Sequence, residues 1–215
     1  QRQPMRFVLF SDVHGNLEAL EAFFENTDKL QYDRIFNLGD IIGYGANPNE
    51  CIELIQNREI PSVVGNHDDV VLDKYEPESF NPDARRALSW TRSNLREENE
   101  DFLRSMKDFI WIDSALGKIL CVHGSPVDKD EYIVSKWHVE RAFVDMLSRD
   151  IAIAFVAHTH RPCCWMQQAD GSALHVPPPE DGSPVLINPS ALVIVNVGSV
   201  GQPRVRIRSL IDTGT

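Results

Sequence analysis

Five short clusters in this sequence combine residue types that can bind a divalent metal. They are Asp12-Val13-His14, Gly39-Asp40, Gly65-Asn66-His67-Asp68, Val122-His123-Gly124 and His158-Thr159-His160. Imidazole and carboxylate together suit first-row ions such as manganese, iron, nickel or zinc. Asp12 and His14 are two residues apart, and His158 and His160 repeat that spacing. In an extended chain both members of such a pair point to one face. A carboxylate such as Asp40 can be shared by two metals about 3.5–4 Å apart, the usual two-metal separation. Each cluster alone has an ordinary explanation as a turn or a surface histidine. Their common position along the chain argues otherwise.

Each cluster lies at the end of a short apolar run. The runs Met5–Phe10, Arg34–Leu38, Ile60–Val64, Lys118–Val122 and Ile151–Ala157 read as buried strands, and Ala191–Val197 reads as a further one. Helical patterns alternate with them. Leu17, Leu20 and Phe24 share a face. Asn47-Pro48-Asn49-Glu50 has the residues of a helix start. Asn81-Pro82 opens a segment with Ala84, Leu88, Thr91 and Leu95 on one side, followed by Phe102, Leu103 and Met106. Ser135 precedes a helix with Val139, Ala142, Phe143, Met146 and Leu147 on one face. The alternation predicts an α/β fold. In such folds the carboxyl ends of the strands line the ligand crevice, so residues far apart in sequence converge there.

Composition narrows the partners. The 215 residues carry a formal net charge of −11, with 42% hydrophobic and 25% charged residues, which suits a soluble globular chain. So acidic a chain is not expected to bind duplex nucleic acid or anionic membranes, which need a basic surface. A small phosphate ester held at a local positive centre remains compatible with it. Cys51, Cys121, Cys163 and Cys164 form no CxxC pair, which argues against a disulfide framework or zinc knuckle. No apolar stretch of ~20 residues predicts a membrane span, and the simplest expected compartment is the cytoplasm.

Taken in order, the five clusters resemble the calcineurin-like metallophosphoesterase superfamily. The stretches SDVHGNLEAL, NLGDIIGYG, VGNHD, VHGSP and GSVGQPR most resemble bacterial metallophosphoesterases related to diadenosine tetraphosphatase and serine/threonine phosphatases. The resemblance implies an αββα sandwich of two mixed β-sheets flanked by helices. Residues 5–204 would form the domain, with 70–113 as a helical cap insertion. It implies one metal held by Asp12, His14, Asp40 and His160, and a second held by Asp40, Asn66, His123 and His158. His67 matches the histidine placed over the substrate phosphate rather than a ligand. The implied reaction is attack on phosphorus by a hydroxide bridging the two cations. His67 would stabilise or protonate the leaving group, and Asp68 would orient His67. The substrate expected is a small phosphodiester or nucleotide, because a cap narrows access for a phosphoprotein. Dinucleoside polyphosphates share the chemistry, and a binding scaffold is the alternative use of the fold.

Three further residues have two readings each. Asn16 either reaches a phosphate or caps the helix that follows it. Tyr44, between Gly43 and Gly45, either stacks on a substrate base or packs locally. Arg161 either grips phosphate as a bidentate fork or lies on the surface. His138 and His175 read as surface residues. The sequence departs from the family in two places. Ala157 stands where glycine is usual before His158, and the tail 205–215, VRIRSLIDTGT, is atypical.

Overall fold

The computed structural model describes residues 5–74, 80–179 and 183–204. The tail 205–215 lies outside the described residues. The elements run in the order β1 (Phe7–Phe10), α1 (Leu17–Thr27), β2 (Arg34–Asn37), α2 (Pro48–Asn57), α3 (Asn66–Val71), α4 (Pro82–Asn94), α5 (Glu97–Ser105), β3 (Phe109–Ser114), β4 (Gly117–Val122), α6 (Lys136–Ser148), β5 (Ile151–Val156), β6 (Cys163–Gln167), β7 (Ala173–Val176) and β8 (Val193–Asn196).

The strands form two sheets. β1 and β2 pair in parallel, and the six-stranded sheet has the order β3-β4-β5-β8-β6-β7. The larger sheet is mixed: β4-β5 and β5-β8 are parallel, and β3-β4, β6-β7 and β6-β8 are antiparallel. The run Ile60–Val64, read above as a strand, contributes only single bridges, Asn37 to Ser62 and Val63 to Lys107. These extend the small sheet by one irregular rung.

Alternation along the strands builds the layers. On β4, Ile119 and Cys121 face a core shared with Phe36, Leu38 and Val63, while Leu120 and Val122 face a second core with Phe143 and Met146 of α6. On β5, Ile153 and Phe155 face the first core, and Ala154 and Val156 the second. The first core therefore lies between the sheets. A third core packs Phe10 of β1 against Leu20 and Phe24 of α1 and Ile52 and Ile55 of α2. The result is helix, small sheet, large sheet, helix. Strands buried on both faces account for the unbroken apolar runs.

The segment 70–113 divides in two. Leu88 of α4 and Leu103 of α5 join the core of α1 and α2. Its last residues, from Phe109, lie in β3 and pair with β4, because Ile110 and Ile112 both face the core between the sheets. Among the described residues, no helix is long and apolar enough to cross a membrane.

Candidate metal centre

The loops that leave β1, β2, β4 and β5, together with the start of α3, meet at one end of the sandwich. Backbone bonds lace the first two loops together: Asp12 N–H donates to Gly39 O at 3.0 Å, His14 N–H to Asp40 O at 3.0 Å, and Gly15 N–H to Ile41 O at 2.8 Å. Within this lacing, Asp12, His14, Asp40, His158 and His160 all adopt left-handed backbone, with φ of 52°, 53°, 54°, 66° and 59°. Such a conformation costs a non-glycine residue about 1–2 kcal/mol. Among the described residues three other non-glycine residues share it, Glu59, Asp73 and Asp150, but each follows a helix end, where it terminates the helix. The five in the loops end no helix, so the strain there serves to aim side chains.

Two groups of donor atoms result. In the first, His14 Nδ1–H donates to Ile42 O at 3.2 Å and His160 Nδ1–H donates to Gln202 O at 2.6 Å. Carbonyl acceptors fix both tautomers, so both Nε2 atoms present lone pairs. These nitrogens are only 3.2 Å apart. Asp12 Oδ1 lies 3.2 Å from His160 Nε2 and 3.7 Å from His14 Nε2, and accepts no hydrogen bond among the described residues. In the second group, His123 Nδ1–H donates to Leu38 O at 2.7 Å. Its Nε2 then faces His158 Nδ1 at 3.0 Å, Asn66 Oδ1 at 3.2 Å and Asp40 Oδ2 at 3.4 Å. The same Asp40 oxygen lies 3.7 Å from His14 Nε2, so one carboxylate reaches both groups. In the first group buried lone pairs converge with no proton between them and repel one another, which a bound cation removes; in the second, a proton on His123 Nε2 takes the place that a cation would fill. This donor set fits divalent metal.

The electrostatics agree. Burial pushes His14 and His158 down to about 3, so both rings are neutral, the ligating form. Burial would also lower His123, but the carboxylates of Asp40 and Asp12 raise it to about 10, so this spot draws in positive charge. Burial would raise Asp40, yet the imidazoles of His123, His67 and His14 hold it well below the usual carboxylate range. Asp12 is lowered in the same way, against its burial, by His160 and His123.

Of the residues singled out in the sequence, Asp12, His14, Asp40, Asn66, His67, His123, His158 and His160 gather here. His67 is buried, with its ring centroid 4.6 Å from that of His14, 5.0 Å from Tyr44 and 4.9 Å from Phe80. Its Nδ1 has no hydrogen-bond partner among the described residues. Asp68 corrects an expectation. It does not orient His67: its carboxylate accepts from the backbone N–H of Asp40 (2.9 Å), Ile41 (3.1 Å), Ile42 (3.3 Å) and Gly65 (3.0 Å). It thus pins the loop that carries Asp40 to the start of α3. Burial and the neighbouring Asp40 charge push Asp68 up to about 7, against the pull of these N–H donors.

Asn16 caps α1, its Oδ1 accepting from Ala19 N–H at 3.1 Å while its Nδ2 donates to Gly201 O at 2.9 Å. Its amide is therefore spent on backbone rather than directed at a phosphate. Tyr44 packs against His14 and His67, each at 5.0 Å, and lines the groove beside them. Arg161 is exposed, and its guanidinium makes no hydrogen bond or ion pair among the described residues. Tyr132 escaped notice in the sequence. Its ring stacks on His158 at 3.5 Å between centroids. It follows His123 by nine positions in a polar loop, with no spacing or motif to mark it.

Gly65 shows how tightly the centre is built. A Cβ there would overlap Asp40 Oδ1 and sit 2.5 Å from Asp40 N. Gly65→Ala is expected to displace Asp40, lower stability by about 1–3 kcal/mol and reduce bound metal. Thermal unfolding with metal analysis checks this.

Comparison with known proteins agrees with this geometry. The chain is 36% identical over 198 residues to the uncharacterized protein MJ0912 of Methanocaldococcus jannaschii, covering 91% of this chain and 76% of that one. The crystal structure of a metallophosphoesterase from Sphaerobacter thermophilus superposes with a TM-score of 0.71 at 36% identity, over 94% of this chain and 79% of that one. Protein PH1004 of Pyrococcus horikoshii superposes with a TM-score of 0.67 at 19% identity, over 92% and 78%, a likeness of fold alone. A match to the Calcineurin-like phosphoesterase superfamily domain runs over residues 5–211 and takes in every loop that supplies a donor atom, so the chain belongs to that superfamily.

Proposed function

We propose that this chain is a phosphoesterase that uses two divalent cations to hydrolyse a small phosphodiester or nucleotide. The observation that carries the proposal is the pair of His/Asp/Asn donor clusters joined through a single oxygen of Asp40. Asp12, His14, Asp40 and His160 would hold one cation, and Asp40, Asn66, His123 and His158 the other. When bound, such cations lower the pKa of water and offset charge on phosphate oxygens.

The residues around them supply the rest. Backbone carbonyls at Ile42, Gln202 and Leu38 fix the tautomers of His14, His160 and His123 before any ligand arrives. His67, whose Nδ1 has no hydrogen-bond partner among the described residues, lies beside His14 and Asp40 and holds or delivers a proton at the leaving oxygen. Asp68 keeps the Asp40 loop in place. The segment around α4 limits access from above. Phe80 packs on His67, Asn81 Nδ2 donates to Tyr44 Oη at 3.4 Å, and Thr91 Oγ1 donates to Gly43 O at 3.3 Å. That enclosure favours a small ester over a phosphoprotein, and a net charge of −11 argues against duplex nucleic acid as a partner.

The test is turnover of aryl phosphomonoesters and phosphodiesters by manganese-loaded protein. Chelation should reduce the rate to background, and a divalent metal should restore it. Two bound metals with no turnover of any ester would overturn the proposal and leave a metal-binding scaffold.

A further inference from the structure

A groove of about 350 Å³ opens beside His14, lined among others by Gly15, Tyr44, Asn47, Gly201 and Gln202. Its size is at the small end of the range of about 300–1,000 Å³ usual for small-molecule sites. Since His14 forms part of both the groove and the donor cluster, a phosphate at the cluster would have its organic group beside Tyr44.

We propose that this groove selects the ester's organic group, and that it takes an uncharged aromatic group, such as a nucleoside, with a single phosphate. The assignment rests on the phosphoesterase reading above and narrows its substrate class. Tyr44 provides the stacking surface. Its position is set by edge contacts to His14 and His67 and by the Asn81 hydrogen bond to its hydroxyl. Asn47 offers polar recognition. It stands at the N-cap of α2 without making a side-chain cap bond, so its amide is unspent among the described residues.

Charge decides against further phosphates. Among the described residues the lining includes Glu18 and no lysine or arginine. The first turns of both helices that start at the groove carry a carboxylate. The N-cap of α1 is filled by Asn16 with Glu18 in the first turn, and α2 begins with Pro48, which has no N–H, and carries Glu50 in its first turn. Arg204 comes to the rim through Gln202, donating to its Oε1 at 3.2 Å. A polyphosphate tail lying in this groove would meet the Glu18 carboxylate, and Arg204 stands outside the lining.

Uncleavable phosphonates separate binding from turnover. On manganese-loaded protein, titration calorimetry would compare methylphosphonate, adenosine 5′-phosphonate and the corresponding methylene-linked diphosphonate. We expect the adenosine phosphonate to bind about tenfold more tightly than methylphosphonate, from base stacking on one aromatic ring. The second phosphonate should add nothing. Tyr44→Leu should remove the tenfold advantage of the adenosine phosphonate over methylphosphonate, while Tyr44→Phe should keep it. Equal binding of adenosine and methyl phosphonates, tighter binding of the diphosphonate, or equal losses for both ligands in Tyr44→Leu would each overturn the assignment. If the binding order holds but no ester is turned over, the groove assignment stands and the phosphoesterase reading falls. If no phosphonate binds, both fall.

Discussion

Replacing His67 with alanine is expected to leave the metal content unchanged and to lower kcat by about 10²–10⁴-fold, the usual contribution of a positioned general acid. Of its contacts, the hydrogen bond from the His67 backbone N–H to Asp40 Oδ1, at 2.9 Å, survives in alanine, so Asp40 stays in place. The ring is what is lost. It lies on the Asp40 and His14 side of the centre, close enough to count as a further metal donor by distance. Its Nδ1 makes no hydrogen bond among the described residues, and a buried, unpaired ring nitrogen costs about 1–3 kcal/mol unless something pairs with it. A substrate oxygen and a metal are the two candidates, and the variant separates them. Metal analysis at full occupancy with low kcat identifies proton transfer, whereas lost occupancy identifies a ligand. The choice of ester sharpens the result. Loss of a proton donor should slow a poor alkoxide leaving group more than a good phenolate one, and equal slowing of both would overturn the assignment.

The layers of the fold were legible because strands buried on both faces write continuous apolar runs. Lys118–Val122 and Ile151–Ala157 come within a residue of β4 and β5 for that reason. β3, β6 and β7 were not legible. Only one of the six residues of β3 is fully buried, and β6 (CCWMQ) is half-buried throughout, so neither writes a clear pattern. All three are joined to the sheet by antiparallel pairing, in which one face can remain wet. Ile60–Val64 failed in the opposite sense. Pro61 has no N–H to give a ladder, and only two bridges form there.

At the site, residue type and strand-exit position found the donors, but not how they are held. Left-handed backbone at Asp12, His14, Asp40, His158 and His160 is invisible in a sequence, because side chains of this kind do not announce it as glycine does. Asp68 shows the same limit. Next to His67 in sequence, it reads as that residue's partner. The first turn of α3 instead directs its carboxylate back to the N–H groups of the Asp40 loop. Tyr132 and the groove beside Tyr44 depend on loops brought together only by folding.

Asp40→Asn is expected to have the largest effect of any single isosteric change at the centre, because Asp40 alone serves both clusters. Its Oδ2 lies 3.4 Å from His123 Nε2 and 3.7 Å from His14 Nε2, whereas Asp12 Oδ1 reaches only His14 and His160. Asparagine retains one oxygen to accept from His67 N–H, so α3 should stay in place. If its NH₂ group takes the place of Oδ2, it is a hydrogen-bond donor facing nitrogens that need a cation. Removing the negative charge also removes the main attraction that keeps positive charge at His123. Metal content should therefore fall at both positions and kcat/KM by more than ~10²-fold, since even outer-shell changes at metal sites typically cost about 10–100-fold. Asp12→Asn is the control, expected to weaken one position and retain metal at the other. Metal analysis after gel filtration, with circular dichroism to confirm the fold, separates the outcomes. Equal losses in the two variants would show that the clusters bind independently and that Asp40 does not join them.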